Sequence, residues 1–164
     1  MKSKRSIRRR HIDLGVATLK SFRIIYGSVR RQLREVQQTC GISGSQLWML
    51  HEVKRSQSIG ISDLASKLSI HQSTCSQLVE KLVRAGLVRK VRQTADQRRV
   101  ELKVTPKGER LLLRAPGPAE GVLPEAIAEL TADQIRTLYR GLAYVIAALD
   151  IVDESAAERH IADL

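Results

Sequence analysis

The chain has 164 residues, of which 43% are hydrophobic and 27% are charged. This is the balance of a globular protein long enough to bury a core, and it argues against a disordered chain. Only 3% of the residues are aromatic, which argues against a base-stacking platform for single-stranded nucleic acid. The formal net charge of +11 indicates a polyanionic partner.

The charge is distributed unevenly along the chain. Residues 1–44 carry +9 (11 basic, 2 acidic), residues 45–114 carry +8 (14 basic, 6 acidic) and residues 115–164 carry −6 (3 basic, 9 acidic). We therefore expect the first two regions to contact a polyanion. The acidic C-terminal region is not expected to lie on a polyanion and is available for another role.

Cysteine content and hydropathy bear on the cellular location. Two cysteines are too few for a secreted disulfide scaffold. No apolar run approaches the roughly 20 residues of a membrane span, and the basic N-terminus has no apolar segment behind it. A cytoplasmic protein without membrane contact is the default expectation.

The sequence shows no pattern typical of a catalytic or metal-binding site. The four histidines show no metal-ligand spacing; they are His11, His51, His71 and His160. We find no nucleophile–base pairing and no glycine-rich phosphate loop. The sequence therefore predicts neither an enzyme nor a cofactor.

The N-terminal region predicts an arm followed by a long helix. Residues 1–12 form a basic run, which we expect to be flexible; it either adds phosphate contacts or is a solvated tail. Residues 13–39 predict one helix, with Asp13 as N-cap and Gly41 and Gly44 behind its end. Its long apolar stripe needs a partner, in this chain or in another.

Residues 45–55 and 61–68 predict two shorter helices, with Ser45 and Ser62 as candidate caps, separated by a break at residues 56–60. A third helix spans residues 71–86. Its start is ambiguous, because Ser69 with Gln72 fits a capping box whereas His71 is a weaker cap. Two short helices joined by a turn of a few residues predict a helix-turn-helix.

The helix over residues 71–86 has one apolar and one polar face. The apolar face comprises Cys75, Leu78, Val79 and Leu82. The remaining positions carry side chains that can donate hydrogen bonds, namely Ser73, Thr74, Ser76, Gln77, Lys81 and Arg84. Such a face suits a DNA groove, where phosphates and base edges are rich in acceptors. The alternative is a solvated surface helix.

The next elements predict a hairpin and further helices. Gly86 ends the third helix, and residues 87–92 and 100–104 predict strands joined by the basic loop 93–99. Thr105 is expected to cap a helix that begins with Pro106. The Pro/Gly-rich residues 115–121 interrupt it. A helix resumes over residues 123–130, and Thr131 is expected to cap a last helix that runs to about residue 150.

This order of elements resembles the MarR family of bacterial transcription regulators. The resemblance rests on five stretches, which are Ile61-Ser62-Asp63-Leu64-Ala65, Ser73 to Val79, Leu82 with Gly86-Leu87-Val88, Asp96-Gln97-Arg98, and Val104-Thr105-Pro106-Lys107-Gly108. It implies a mainly α fold with a small antiparallel β-hairpin wing, in which a winged helix-turn-helix at residues 45–105 joins a helical dimerisation region at residues 13–44 and 106–164. The break at 115–121 departs from the long helix usual in the family.

The resemblance also implies a DNA-contacting set. We expect it to comprise Ser62, His71, Gln72, Ser73, Thr74, Ser76, Gln77, Lys81, Arg84, Arg92, Asp96, Arg98 and Arg99. Within this set Arg98 would enter the minor groove. By family analogy Asp96 braces Arg98, although Asp96 can equally shape the turn. Arg92 and Arg99 are expected to contact the DNA backbone.

Two further sites follow from the resemblance. A small-molecule pocket would be lined by Phe22, Arg23, Tyr26, Trp48 and His51, unless the aromatics are core and Arg23 is solvated.

Cys75 is expected to be a packed core residue. Cys40, which we expect to be better exposed, is a candidate oxidant sensor.

These features lead to one functional prediction with two alternatives. The chain is expected to be a homodimeric regulator that binds a pseudo-palindromic operator in double-stranded DNA. It would act as a repressor that a small molecule or an oxidant releases. The alternatives are an architectural protein with little sequence preference and a winged-helix protein-interaction module.

Overall fold

A computed structural model describes residues 2–92, 100–150 and 152–158 of the chain, with side chains for residues 13–92, 100–150 and 152–157. The helices are α1 (Lys2–Cys40), α2 (Gly44–Arg55), α3 (Ile61–Leu68), α4 (Gln72–Arg84), α5 (Pro106–Arg114), α6 (Val122–Ala128) and α7 (Ala132–Ala147). The strands are β1 (Ile59–Gly60), β2 (Val88–Arg92) and β3 (Val100–Val104), and a 3-10 helix spans Glu154–Glu158. The mainly helical fold with a small antiparallel sheet is confirmed.

The hydrophobic core lies where α2, α3 and α4 pack against the sheet. Leu47 and Leu50 of α2, Leu64 of α3, Leu82 of α4 and Leu102 of β3 are fully buried there. Burying each such side chain contributes roughly 1.5–3 kcal/mol. The core therefore fixes α4 by its apolar side and leaves the opposite side of that helix outward.

The sheet has three antiparallel strands in the order β1-β3-β2. In the hairpin, Val88 of β2 lies opposite Val104 of β3, and Arg92 lies opposite Val100. The first strand, β1, places Ile59 opposite Leu102 and was missed in the sequence, where residues 56–60 were interpreted as a break. A strand of two residues is too short to show an alternating pattern.

The first helix is longer than the sequence predicts. It begins at Lys2, so the predicted N-cap Asp13 lies inside α1, and the backbone of residues 2–12 is helical where a flexible arm was expected. A flexible arm was expected because the like charges of this basic run repel one another. The boundary at Asp13 is therefore wrong, although the end of α1 agrees with the predicted stop at Gly41, which has a φ of +68°.

The caps of α2 and α3 also differ from the prediction. Ser43, not Ser45, caps α2 by accepting a hydrogen bond from the backbone N–H of Gln46, whose side chain accepts in return from the backbone of Ser43. Gly60 is the N-cap of α3, so Ser62 lies in its first turn instead of capping it. The extended backbone of β1 runs directly into α3, so the N-cap lies two residues before the predicted one.

The Pro/Gly-rich stretch between α5 and α6 is held by a single buried side chain. Gln32 of α1 donates from Nε2 to the carbonyl of Pro118 (2.8 Å) and accepts at Oε1 from the backbone N–H of Val122 (2.8 Å). Gly121 has a φ of +107°, which favours glycine. The predicted interruption is confirmed, and Gln32 fixes the direction in which the chain re-enters a helix.

The last helix has no buried residue. Thr131 caps α7 with a capping box closed by Gln134, as the sequence predicts, and the helix ends at Ala147. Residues 131–150 are all exposed, including the apolar side chains of Leu138, Leu142 and Val145. Among the described residues, no helix is long and apolar enough to cross a membrane.

Candidate nucleic-acid interface

The recognition helix of the predicted helix-turn-helix is α4. Its apolar face is buried as predicted, with Cys75, Leu78, Val79 and Leu82 against the core. Its outer face exposes most of the predicted DNA-contacting residues, namely His71, Gln72, Ser73, Gln77, Lys81 and Arg84. Thr74 and Ser76 are half-buried. The structure thus brings these eight side chains to one helix and its N-cap, and six of them are exposed.

The turn that leads into α4 resolves the ambiguity over its start. Ser69 adopts the left-handed conformation, with a φ of 51°, and ends α3. His71 is the N-cap of α4 and makes no side-chain cap hydrogen bond, so the capping box of Ser69 with Gln72 does not form. Backbone N–H groups in the first turn of α4 are therefore left without a side-chain cap. This arrangement favours the binding of an anion at the start of the helix.

The only acidic residue in α4 is Glu80, and it is paired. Glu80 Oε1 accepts a hydrogen bond from Nζ of Lys90 on β2. This hydrogen bond from Lys90, with the charge of the same lysine, holds the pKa of Glu80 below its usual value. The pair removes an isolated negative charge from a helix that otherwise presents only neutral and basic groups.

The end of α4 is attached to the start of α5 by the Val-Thr-Pro-Lys-Gly motif. Gly86 has a φ of +69° and closes a Schellman motif, in which its N–H donates to the carbonyl of Val83 and that of Leu87 donates to the carbonyl of Leu82 (both 2.9 Å). Thr105 donates from Oγ1 to the carbonyl of Gly86 (2.7 Å). The motif therefore fixes α4 relative to the wing and to the following helix.

Lys107 and Gly108 of the motif also contact this junction. Nζ of Lys107 donates to the carbonyl of Ala85 (2.8 Å), which satisfies a carbonyl at the end of α4. A Cβ on Gly108 would lie 2.3 Å from the carbonyl oxygen of Leu87. Only glycine fits at position 108, because the backbones approach too closely for any side chain.

The wing is described in part. Arg92 is exposed at the end of β2, where a phosphate contact is expected. The loop residues predicted to reach DNA, Asp96, Arg98 and Arg99, lie outside the described residues. Arg92 pairs with Val100 at the last described position of the hairpin. Ser62, the predicted contact on α3, is exposed beside the start of α4.

The two cysteines differ in their surroundings. Cys75 is completely buried, its Sγ lies 3.6 Å from the carbonyl oxygen of Ile61, and burial raises the pKa of its thiol to about 11. Cys40 is half-buried against the core; burial raises the pKa of this thiol too, and Arg114 opposes the shift. Cys75 is therefore a core residue. Cys40 lacks the lowered pKa typical of an oxidant sensor.

The predicted ligand-pocket residues do not share one cleft in the single chain. Phe22, Arg23 and His51 line three different depressions. Tyr26 is exposed and lies under the guanidinium of Arg30, whose Cζ is 5.6 Å from the ring centroid. Trp48 is half-buried against the core. The sequence could not show this, because helical spacing alone does not reveal which face of α1 meets α2.

Sequence reasoning missed a buried ion pair beneath the helix-turn-helix. The side chain of Glu52 on α2 is only 4% exposed and accepts from Nζ of Lys67 on α3 (2.9 Å) and from Nε of Arg55 (3.1 Å). Burial raises the pKa of Glu52, but the hydrogen bonds from Lys67 and Arg55 outweigh it and hold this pKa below its usual value. The i, i+3 spacing of Glu52 and Arg55 was the only available signal.

The side chains that the structure describes are those of residues 13–92, 100–150 and 152–157. No group of three His, Cys, Asp or Glu residues in that part of the chain could hold a metal ion. His11 and His160 lie outside the described side chains.

A helix, a turn, an outward-facing polar helix and an antiparallel hairpin together define a winged helix-turn-helix protein. Residues 41–99 match the family model described as "MarR family". The resemblance seen in the sequence is therefore confirmed over these residues, which are similar to the MarR family.

Individual relatives agree with this assignment. The chain is 21% identical over 89 residues to the HTH-type transcriptional repressor MdtR of Bacillus subtilis (strain 168), a match that covers 54% of this chain and 57% of MdtR. It is 30% identical over 80 residues to the HTH-type transcriptional regulator FarR of Neisseria gonorrhoeae, covering 49% of this chain and 55% of FarR. The chain thus spans little more than half the length of these two relatives.

A solved structure supports the fold. The structure of a MarR family transcriptional regulator from Streptomyces coelicolor, in complex with DNA, superposes with a TM-score of 0.56 and 22% identity, covering 84% of this chain and 88% of that one. At this identity the likeness establishes the fold alone.

Proposed function

We propose that this chain is a sequence-specific regulator that binds double-stranded DNA as a homodimer and represses transcription. The observation that carries the proposal is the outer face of α4, which exposes Gln72, Ser73, Gln77, Lys81 and Arg84. Glutamine can pair with adenine, and lysine and arginine contact phosphate or guanine. The surrounding residues 45–114 carry +8, which supplies the sequence-independent part of the affinity.

The relatives support the same role. MdtR is named a transcriptional repressor, and the Streptomyces coelicolor regulator was solved with DNA. A repressor of this kind occupies its operator and excludes polymerase. Ser62 on α3 and Arg92, Arg98 and Arg99 of the wing remain in the proposed contact set, with Asp96 as the residue that positions Arg98.

The exposed apolar surfaces of the terminal helices support a homodimer. An apolar groove of about 470 Å³ runs between Phe22 and Ile25 of α1 and Leu138, Leu142 and Val145 of α7. Contiguous exposed apolar surface of this kind marks an interaction site. A second copy of the chain would bury it, and two copies would present two α4 helices to the two halves of a pseudo-palindrome.

The dimer can be tested by sedimentation of a charged variant. Leu142→Glu is expected to convert the dimer to monomer, because it places a carboxylate in the groove. Arg140→Glu, two residues away on the same helix, is the matched control and is expected to stay dimeric. A wild-type chain that sediments as a monomer at micromolar concentration would contradict the dimer.

The site of a releasing ligand is proposed next to His51. A depression of about 410 Å³ between α2 and α5 is lined by His51, Lys54, Leu112 and Pro118, among others. Nδ1 of His51 is buried there and has no hydrogen-bond partner in the described part of the chain. Such an orphaned nitrogen gains a partner when a polar ligand binds. Lys54 would favour an anionic ligand.

Benzoate and the neutral benzamide are suitable probes for this depression. Benzoate is expected to lower the affinity for DNA more than benzamide does, and His51→Phe is expected to abolish the difference. Equal effects of the two probes on wild-type protein would contradict an anion-selective site.

Selection from a pool of random duplexes tests the function as a whole. The full-length protein is expected to enrich a pseudo-palindromic sequence. Binding of all duplexes with a specificity ratio near unity would favour the architectural alternative. Absence of any salt-dependent DNA binding would favour the protein-interaction alternative.

A further inference from the structure

The C-terminal 3-10 helix meets the turn of the helix-turn-helix. Ala157 of that helix lines a depression of about 540 Å³ whose other walls come from α3, α4 and the turn between them. The wall residues include Ser62, Ser66, Ser69, His71 and Gln72. Ser62, His71 and Gln72 belong to the proposed DNA-contacting set. The C-terminal segment therefore lies where the start of α4 would meet DNA.

The segment is acidic, and the walls of the depression that it meets carry no acidic side chain. Residues 150–158 contain Asp150, Asp153, Glu154 and Glu158, and no lysine or arginine. The start of α4 carries the positive end of the helix dipole and has no side-chain cap. A helix start of this kind favours a nearby negative charge, as it would favour a phosphate group.

The contact is small. Ala156 is half-buried and Ala157 is exposed, so the segment rests on the surface without entering the core. A weak contact of this kind can still be populated, because the segment is tethered to α7 and its effective concentration is high. It can also be displaced, because DNA offers many more phosphates than the segment offers carboxylates.

We propose that the described residues 152–158 of this acidic segment dock on the helix-turn-helix and compete with DNA for the start of α4. This inference rests on the function proposed above. A competitor within the chain lowers the apparent affinity by the fraction of molecules in which the site is unoccupied. Because the docking is electrostatic, salt weakens it and reduces the competition.

Two full-length variants test the proposal. Asp153→Asn with Glu154→Gln removes two charges from the segment, and Glu125→Gln with Glu129→Gln removes two exposed charges from α6 as the matched control. The affinity for a 30-base-pair duplex is measured by fluorescence anisotropy across a range of salt. The segment variant is expected to bind roughly three- to tenfold more tightly than wild type at low salt. The control is expected to bind like wild type, and the gap is expected to narrow as salt rises. Equal affinities of the two variants would overturn the proposal.

Hydrogen exchange without DNA separates this inference from the proposed function. Ala157→Arg is expected to displace the segment and to speed amide exchange at residues 69–73. Faster exchange with no binding of any duplex would contradict the proposed function but leave the docking supported. Unchanged exchange would overturn the docking, whatever the protein does with DNA.

Discussion

The hydroxyl of Thr105 donates a 2.7 Å hydrogen bond to the carbonyl of Gly86, and this bond joins the end of the recognition helix to the start of α5. The same oxygen accepts from the N–H of Gly108 (3.1 Å) and so caps α5. One side chain therefore serves two helices. Because this side chain joins the two helices, we expect a movement of α5 to shift α4 as well.

Replacing Thr105 should loosen this junction. Thr105→Ala removes the cap and the bond to Gly86, and we expect it to cost roughly 1–2 kcal/mol of unfolding free energy. Thr105→Ser keeps the hydroxyl and should cost well under half as much. Urea unfolding of both variants measures the difference. Equal stabilities of the alanine and serine variants would show that the methyl group, not the hydroxyl, matters.

Gly108 should not tolerate any side chain. A Cβ there would overlap the carbonyl oxygen of Leu87 at 2.3 Å, and we expect Gly108→Ala to destabilise the fold by about 1–3 kcal/mol. Gly27 in α1 is the matched control, since a Cβ there meets nothing within 4 Å. Gly27→Ala should be neutral or slightly stabilising. Thermal unfolding of the two variants side by side tests the close approach, and a Gly108 variant as stable as wild type would refute it.

Stability should depend on pH through Glu52. Its pKa is lowered in the folded protein because the hydrogen bonds from Lys67 and Arg55 outweigh the effect of burial. A lowered folded pKa means that this contribution is complete above the unfolded value of about 4.3. The contribution is lost as the pH falls through the folded pKa. In Glu52→Gln the fall in stability below about pH 4.3 should be shallower than in wild type. Parallel pH profiles would show that Glu52 does not titrate in this way.

The thiols should react at different rates in the native protein. Cys75 is fully buried, with a pKa of about 11, so iodoacetamide at pH 8 should modify it only through unfolding. Cys40 is half-buried, and burial raises its pKa as well. It should react sooner, but more slowly than an unstructured cysteine peptide. Mass spectrometry over time distinguishes the sites, and rapid modification of Cys75 would contradict its place in the core.

The sequence predicted the elements that carry strong local signals and missed those that depend on contacts distant along the chain. The apolar stripe of α4, the cap at Thr131 and the break after Arg114 are all confirmed. The strand β1 was missed because it exists only by pairing with β3. Gln32 was missed because its partners, Pro118 and Val122, lie almost ninety positions away.

In the candidate site, too, the features with local sequence signals were predicted and those that depend on distant contacts were not. The outward face of α4 follows from helical periodicity and was predicted correctly. The predicted pocket residues do not share one depression in the single chain, because they lie on different faces of α1 and α2. No pattern in the sequence predicts the pairing of Glu80 with Lys90 or the approach of Ala157 to the turn, because both depend on tertiary structure.

The most direct test of the account compares Gln77→Ala with Lys81→Ala on an enriched duplex and on a scrambled duplex. If α4 reads base edges, Gln77→Ala should reduce the ratio of the two affinities by a factor corresponding to about 1–3 kcal/mol. Lys81→Ala should weaken both duplexes equally and lower the salt slope by about one. Gln37→Ala on α1 and Lys20→Ala are the matched controls, and neither should change the ratio. An unchanged affinity ratio in Gln77→Ala, with wild-type binding to both duplexes, would contradict the claim that this helix reads DNA.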